Sequence, residues 1–144
     1  APRPDGMTQA AAIRQALDEA AYTSDDVLYI NAHGTGTALN DVAETAAFKL
    51  ALGDDAYKAH ISSIKGSTGH MLGAAGAVEA VATVLALKEG MVPPTANLDE
   101  VDPERDLNYT PCKAVKADLT IGISDSLGFG GHNGCVAFRK YTEQ

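Results

Sequence analysis

The stretch Val27-Leu28-Tyr29-Ile30-Asn31-Ala32 runs straight into His33-Gly34-Thr35-Gly36-Thr37, and this junction decides the fold class. A short apolar run with β-branched and aromatic residues reads as a buried strand, here closed by a glycine-rich turn. The same pairing recurs twice. Ile61 to Ile64 is a second short strand followed by Lys65-Gly66-Ser67-Thr68-Gly69-His70, and Thr120 to Ser126 a third followed by Gly128-Phe129-Gly130-Gly131-His132-Asn133. Helical patterns fill the intervals. Thr8 to Ala21 places Ala10, Ile13, Leu17, Ala20 and Ala21 on one face, with Thr8 as N-cap. Asp41-Val42-Ala43-Glu44 has capping-box spacing and opens a helix that Gly53 closes. Gly73 to Glu89 carries Val78, Val81, Ala82 and Leu85 at helical spacing and reads as buried, stopped by Gly90 and Pro93-Pro94. Strands alternating with helices predict an α/β layered fold with a largely parallel sheet. Gly134 to Phe138 is a last strand that can return antiparallel through the short glycine turn. Residues 1–144 read as one domain. The opening Ala1-Pro2-Arg3-Pro4-Asp5-Gly6 holds no regular structure, and Asp99 to Asp106 is a solvated acidic loop.

Composition narrows the function. Eleven Lys and Arg against 19 Asp and Glu leave a net charge of −8, which excludes nucleic acid and anionic membranes as expected partners. Of the 144 residues, 25 are Ala and 14 Gly, with no Trp, so elements should pack closely around a small-residue core. The lowest-charge run, Met71 to Leu87, is too short to span a bilayer and has Glu79 at its middle. Two cysteines are too few for a disulfide framework in a chain this long. A cytoplasmic, reduced setting is expected.

His33, His70 and His132 each lie in a glycine-rich turn behind a strand. Ligand sites of parallel α/β folds gather at the carboxyl ends of strands, where glycine lets the backbone approach and offers N–H groups to an oxyanion. The turns match neither a P-loop nor a dinucleotide fingerprint. The three histidines with Asp41 or Glu44 lack the helical spacing of metal ligands, so no metal is expected. Lys65 shares a turn with His70, and a neighbouring cation would keep the imidazole neutral. Lys65 also has a plain reading as a surface lysine, and Glu79 as a solvent-facing helix position. Cys135 sits in an apolar strand pattern and Cys112 in a loop or strand end. Neither opens a helix that would activate a thiol.

Three motifs, Asn31-Ala32-His33-Gly34-Thr35-Gly36-Thr37, then Lys65 through Gly76 (KGSTGHMLGAAG), then Gly128-Phe129-Gly130-Gly131, occur in the order and spacing of β-ketoacyl-acyl-carrier-protein synthases. The chain resembles the elongating, type II form over nearly its whole length. The resemblance implies the C-terminal half of a thiolase-like layered fold, with a mixed, mostly parallel sheet and helices on both sides. It also implies an N-terminal half, carrying the nucleophilic cysteine, as the partner of this one. A central strand just ahead of Ala1 is expected to be missing, so that the segment alone should be poorly stable and inactive.

The implied reaction is decarboxylative Claisen condensation of malonyl-carrier protein with an acyl-enzyme in fatty-acid elongation. By motif position His33 and His70 are the catalytic histidines, and Lys65 is the lysine that keeps them neutral donors. Glu79 matches the acid that pairs with that lysine. Thr35 and Thr37 match the hydroxyls that bind the phosphopantetheine arm, which arrives on the acyl carrier protein, so no resident cofactor is expected. Phe129 matches the residue gating the acyl pocket, with a backbone N–H in the oxyanion hole; its plain reading is a core plug. The complete enzyme is expected to be a homodimer.

Departures from the family pattern are Asp125 and Leu127, where Asn and Phe are frequent, and His132, where Thr is common. Asp125 could alter a turn hydrogen bond. Asn31, in place of the Glu frequent in modular polyketide synthases, favours a free-standing fatty-acid enzyme. The alternatives are a polyketide ketosynthase segment, a non-catalytic chain-length-factor-like subunit, which need not keep His33, Lys65 and His70, and an unrelated metal-dependent hydrolase.

Overall fold

A computed structural model describes residues 5–100 and 102–143; the opening Ala1 to Pro4 and Val101 of the acidic loop lie outside them. The elements are α1 (Met7–Glu19), β1 (Leu28–Asn31), α2 (Ala38–Leu52), β2 (His60–Ser62), α3 (Lys65–Thr68), α4 (Ala75–Glu89), β3 (Met91–Val92), β4 (Val115–Lys116), β5 (Ile121–Leu127) and β6 (Asn133–Arg139). The main sheet has the order β2-β1-β5-β6. β1 pairs parallel with both β2 and β5, Ile30 standing between Ile61 and Ile123. β6 returns antiparallel on β5 through the glycine turn, as the sequence predicts.

The expected central strand would precede Ala1 and so lies outside this chain, whose own strands pair with one another. β1 is hydrogen-bonded directly to β5 from Leu28 opposite Ile121 to Asn31 opposite Ser124, so the middle of the sheet is continuous.

Alternation along the strands sorts the core into two layers. Leu28, Ile30, Ile121 and Ile123 face α1 and α2, packing with Ala10, Ile13, Leu17, Ala47 and Phe48. Tyr29 faces the other way, into a smaller cluster with Ala86 and Leu87 of α4 and with Val92 and Leu119. The small-residue packing is literal at Gly122, where an added Cβ would lie 2.8 Å from Thr83 Cγ2 of α4.

Three local readings are corrected. The N-cap of α1 is Gly6, in a left-handed conformation, not Thr8. The chain enters the helix two residues earlier, and Asp5 Oδ1 accepts the Met7 N–H at 3.1 Å. α2 begins at Ala38 behind Thr37, so Asp41 lies in its first turn and caps nothing. The buried face of α4 is Ala75, Glu79, Thr83, Ala86 and Leu87, while Val81 and Leu85 are 60% and 50% exposed. A helix apolar all round has no amphipathic signal to say which stripe meets the sheet. Among the described residues, no helix is long and apolar enough to cross a membrane.

Candidate functional site

The site forms where β1 and β2, running parallel, both end. β1 delivers the turn Ala32-His33-Gly34. Gly34 has φ +42°, and an added Cβ would meet Ser63 Cβ at 2.4 Å, so only glycine fits this bend beside β2. Ser63 Oγ donates to the Gly34 carbonyl at 2.9 Å. From α2, Glu44 clamps the turn: Oε1 accepts the His33 N–H at 2.6 Å and Oε2 the Gly34 N–H at 2.9 Å. The spacing that resembles a capping box therefore serves another end, and the acid that could have reached back to a helix start holds the His33 turn instead.

β2 delivers α3, in which Lys65 is buried. Its ammonium is ion-paired to Glu79 of α4, the two side chains 6% and 3% exposed. The plain readings of Lys65 as a surface residue and of Glu79 as solvent-facing are overturned. Beyond α3 the chain turns at Gly69 and presents His70, whose Nδ1 accepts the Leu72 N–H at 3.1 Å. In the neutral ring that bond leaves the proton on Nε2.

The His33 and His70 rings stand perpendicular with centroids 5.7 Å apart. Burial, then the charge of Lys65, then His70, holds the His33 pKa down to about 4, so its ring is neutral at physiological pH. Burial is the larger cause, and the lysine's charge acts on His33, which lies in a different turn. A cavity of about 460 Å³ opens beside the pair, lined by Gly34, Thr35, Lys65, His70, Arg105 and Tyr109 among others. The Thr35 and Thr37 hydroxyls lie 3.3 Å apart; Thr35 lines the cavity, while Thr37 lies just ahead of α2.

Other candidates stay apart. Among the described residues, the ring contact joins His33 and His70, and His132 remains exposed at the β5–β6 turn. Phe129 is 95% exposed, so it plugs no core among the described residues. Gly130 beside it has φ +77°, which only glycine adopts freely. Cys112 is exposed, its thiol donating to the Leu98 carbonyl at 3.3 Å. Cys135 is half-buried on β6, where burial pushes its thiol pKa up. Neither cysteine lines the cavity. Among the described residues no group of three or more His, Cys, Asp or Glu could hold a metal ion.

Sequence reasoning missed Glu44 as the clamp of the His33 turn, and it missed Arg105. That guanidinium bridges Asp41 and Asp102, both at 3.0 Å, drawing the acidic loop over the cavity. The only signal was a lone Arg among acids. His70 lines the cavity with the neutral His33 ring set against it and the buried Lys65–Glu79 pair behind. A ring N–H placed there can donate a hydrogen bond to an oxygen that becomes negative during reaction.

Residues 1–99 match the family described as beta-ketoacyl synthase, C-terminal domain. The chain is 51% identical over 141 residues to 3-oxoacyl-[acyl-carrier-protein] synthase 2 of Synechocystis sp., covering 98% of this chain and 34% of that protein. It is 48% identical to the tetracenomycin polyketide synthase ketoacyl synthase alpha subunit of Streptomyces glaucescens, covering 98% of this chain and 33% of that one. A solved type II PKS acyl-carrier protein in complex with its ketosynthase bound to the hexaketide superposes with a TM-score of 0.93. It is 38% identical, and the match covers 98% of this chain and 35% of that one. The chain thus spans about a third of the length of the curated relatives it matches.

Proposed function

The chain belongs to the β-ketoacyl synthase family through its C-terminal domain, and on that premise we propose that it is the C-terminal part of an elongating 3-oxoacyl-carrier-protein synthase of fatty-acid synthesis. The enzyme is a condensing acyltransferase. An acyl group passes from a carrier-protein thioester to an enzyme cysteine. Malonyl-carrier protein then loses carbon dioxide, and the resulting enolate carbon attacks the acyl thioester, expelling the cysteine thiolate. Neither cysteine here faces the histidines, so the nucleophile comes from an N-terminal half of the same protein. The exposed Val81, Val84 and Leu85 stripe of α4 supports a further body of protein packing there, since exposed apolar patches of this kind mark interfaces.

The observation that carries the reading is the perpendicular His33–His70 pair 5.7 Å apart. As neutral donors the two rings stabilise the thioester oxygen as it takes up charge during decarboxylation, a loss of about 10²–10³ in rate attending removal of one such donor. Lys65, held by Glu79, keeps His33 uncharged. Thr35 and Thr37 accept the phosphopantetheine arm, which arrives on the carrier protein, so no resident cofactor is needed. Phe129 swings on Gly130 to gate the acyl pocket and lends its N–H to the oxyanion hole. The partners are the acyl carrier protein, in line with the solved carrier–ketosynthase complex, and a second copy of the complete enzyme. The setting is the cytoplasm.

A polyketide ketosynthase is the second reading, favoured by the 48% identity to a polyketide subunit. Purified full-length protein decides. Wild type is expected to extend saturated acyl chains by two carbons once per malonyl unit; repeated uncyclised ketide extension would favour the polyketide reading. His70→Ala is expected to abolish condensation while acyl transfer to the cysteine persists. Condensation by His70→Ala at a near wild-type rate would overturn the donor role.

A further inference from the structure

Beneath the His33 turn two carboxyl groups meet away from water. Asp125 on β5 is fully buried and Glu44 on α2 is 2% exposed. Asp125 Oδ2 accepts from Gln9 Nε2 of α1 at 2.5 Å, and its Oδ1 is buried with no hydrogen-bond partner. Asp125 follows Ser124, which pairs in register with Asn31, so it stands beside the His33 turn that Glu44 clamps. Glu44 accepts the N–H groups of His33 and Gly34, with Asn40 Nδ2 at 3.5 Å. Two neighbouring carboxylates buried away from water resist being ionised together. A carboxylate accepting two backbone N–H bonds holds its charge well, so the negative charge belongs on Glu44, and a proton on Asp125 gives the otherwise orphaned Oδ1 an acceptor.

We propose that Asp125 and Glu44 share one proton at neutral pH, and that Asp125, through this proton, is a positioning residue for the His33 turn. The assignment deepens the condensing role proposed above and rests on it only for its kinetic consequence. Other charges around the pair are already matched or distant in effect. Asp41 on α2 is paired with Arg105 and Lys65 on α3 with Glu79. Tyr109 faces Glu44, and Cys135 lies opposite Asp125 on β6; both are kept neutral by burial. Burial raises the affinity of both carboxyls for protons, and the charge of Asp125 raises that of Glu44 further. The folded chain therefore binds more protons than the unfolded one above the ordinary carboxylate range. The stability contributed by the pair is full in acid and is lost as pH rises through the raised values. Once the shared proton leaves, two adjacent anions repel and Glu44 is pushed off the turn.

The test compares wild type, Asp125→Asn and Glu44→Gln in the full-length protein. Asn at 125 donates an N–H to Glu44 without a titratable proton. Infrared spectra at pH 7 are expected to show a buried protonated-carboxyl C=O stretch in wild type that disappears in both variants. Asp125→Asn is expected to keep malonyl decarboxylation at neutral pH and lose the alkaline fall of the wild-type rate, with a melting temperature that gains on wild type as pH rises. Absence of the infrared band, or an unchanged alkaline limb in Asp125→Asn, would overturn the shared proton and its positioning role respectively. A wild type that does not decarboxylate malonyl thioesters at all would instead overturn the function proposed above, with the infrared band still deciding the proton.

Discussion

Lys65 and Glu79 form an ion pair between α3 and α4 with side chains 6% and 3% exposed. A pair so withdrawn from water ties the His70 turn to the helix packed under the sheet, and its lysine adds to the burial that keeps His33 neutral.

Breaking this pair from one side should be costly. Glu79→Ala leaves a buried, unmatched ammonium and is expected to lower stability by about 3–5 kcal/mol, read by thermal unfolding of the full-length protein. Replacing both partners, Lys65→Met with Glu79→Leu, is expected to recover most of that loss but not the rate of carbon dioxide release. Recovery of both would show that the pair serves only packing.

The protonation of His33 offers a second check. Its pKa is lowered from 6.5 to about 4, so below pH 6.5 the unfolded chain takes up a proton that the folded chain refuses. The stability from the neutral ring is therefore complete above 6.5 and drains away as pH falls toward 4. Histidine NMR titration should place the His33 midpoint near 4. Lys65→Ala should raise it without reaching 6.5, because burial is the leading cause. A midpoint unchanged by Lys65→Ala would remove the lysine from the account.

Gly34→Ala should fail for reasons of space and of backbone. A Cβ would sit 2.4 Å from Ser63 Cβ at a residue with φ +42°. The left-handed conformation alone costs about 1–2 kcal/mol, and relieving the clash moves the turn that carries His33. Decarboxylation is expected to vanish even at temperatures where circular dichroism shows the variant folded.

Phe129→Ala separates a gate from a core residue. With the ring 95% exposed in this chain, its loss should change the stability of this half by no more than about 0.5 kcal/mol, while the acyl-chain preference of the full-length enzyme shifts. A large loss of stability without a change in acyl preference would mean that the ring is packing material for the rest of the protein.

Much of the architecture is legible in local pattern. The run Leu28 to Asn31 is apolar and flanked by turn residues, so its strand character and its glycine exit are visible without neighbours. The His33, Lys65 and His70 motifs are legible for a related reason: tight turns and close approach restrict residue choice so strongly that the pattern survives as text. Glu44 was misread because Asp41-x-x-Glu44 is what a helix start looks like, and the real start at Ala38 depends on how the His33 turn enters α2. Arg105 was missed because its partners lie 64 and 3 residues away, one of them on another element.

What the sequence by itself determined is the four strands of the main sheet, the three long helices, the histidine-bearing glycine turns and the family to which they point, because each rests on preferences within one turn or one strand. The short β3–β4 pair and α3 came only with the fold. Strand order and partnership came only with the tertiary structure. Strands β1 and β5, from distant parts of the chain, pair directly from Leu28 opposite Ile121 to Asn31 opposite Ser124. Packing also chose the Glu79–Thr83 stripe of α4 over the Val81–Leu85 stripe, since an apolar helix is indifferent until a sheet and a buried lysine select one side. The meeting of Glu44 with Asp125 depends on a helix and a strand 81 positions apart in sequence, and no local preference records what two distant acids do when both are folded away from water.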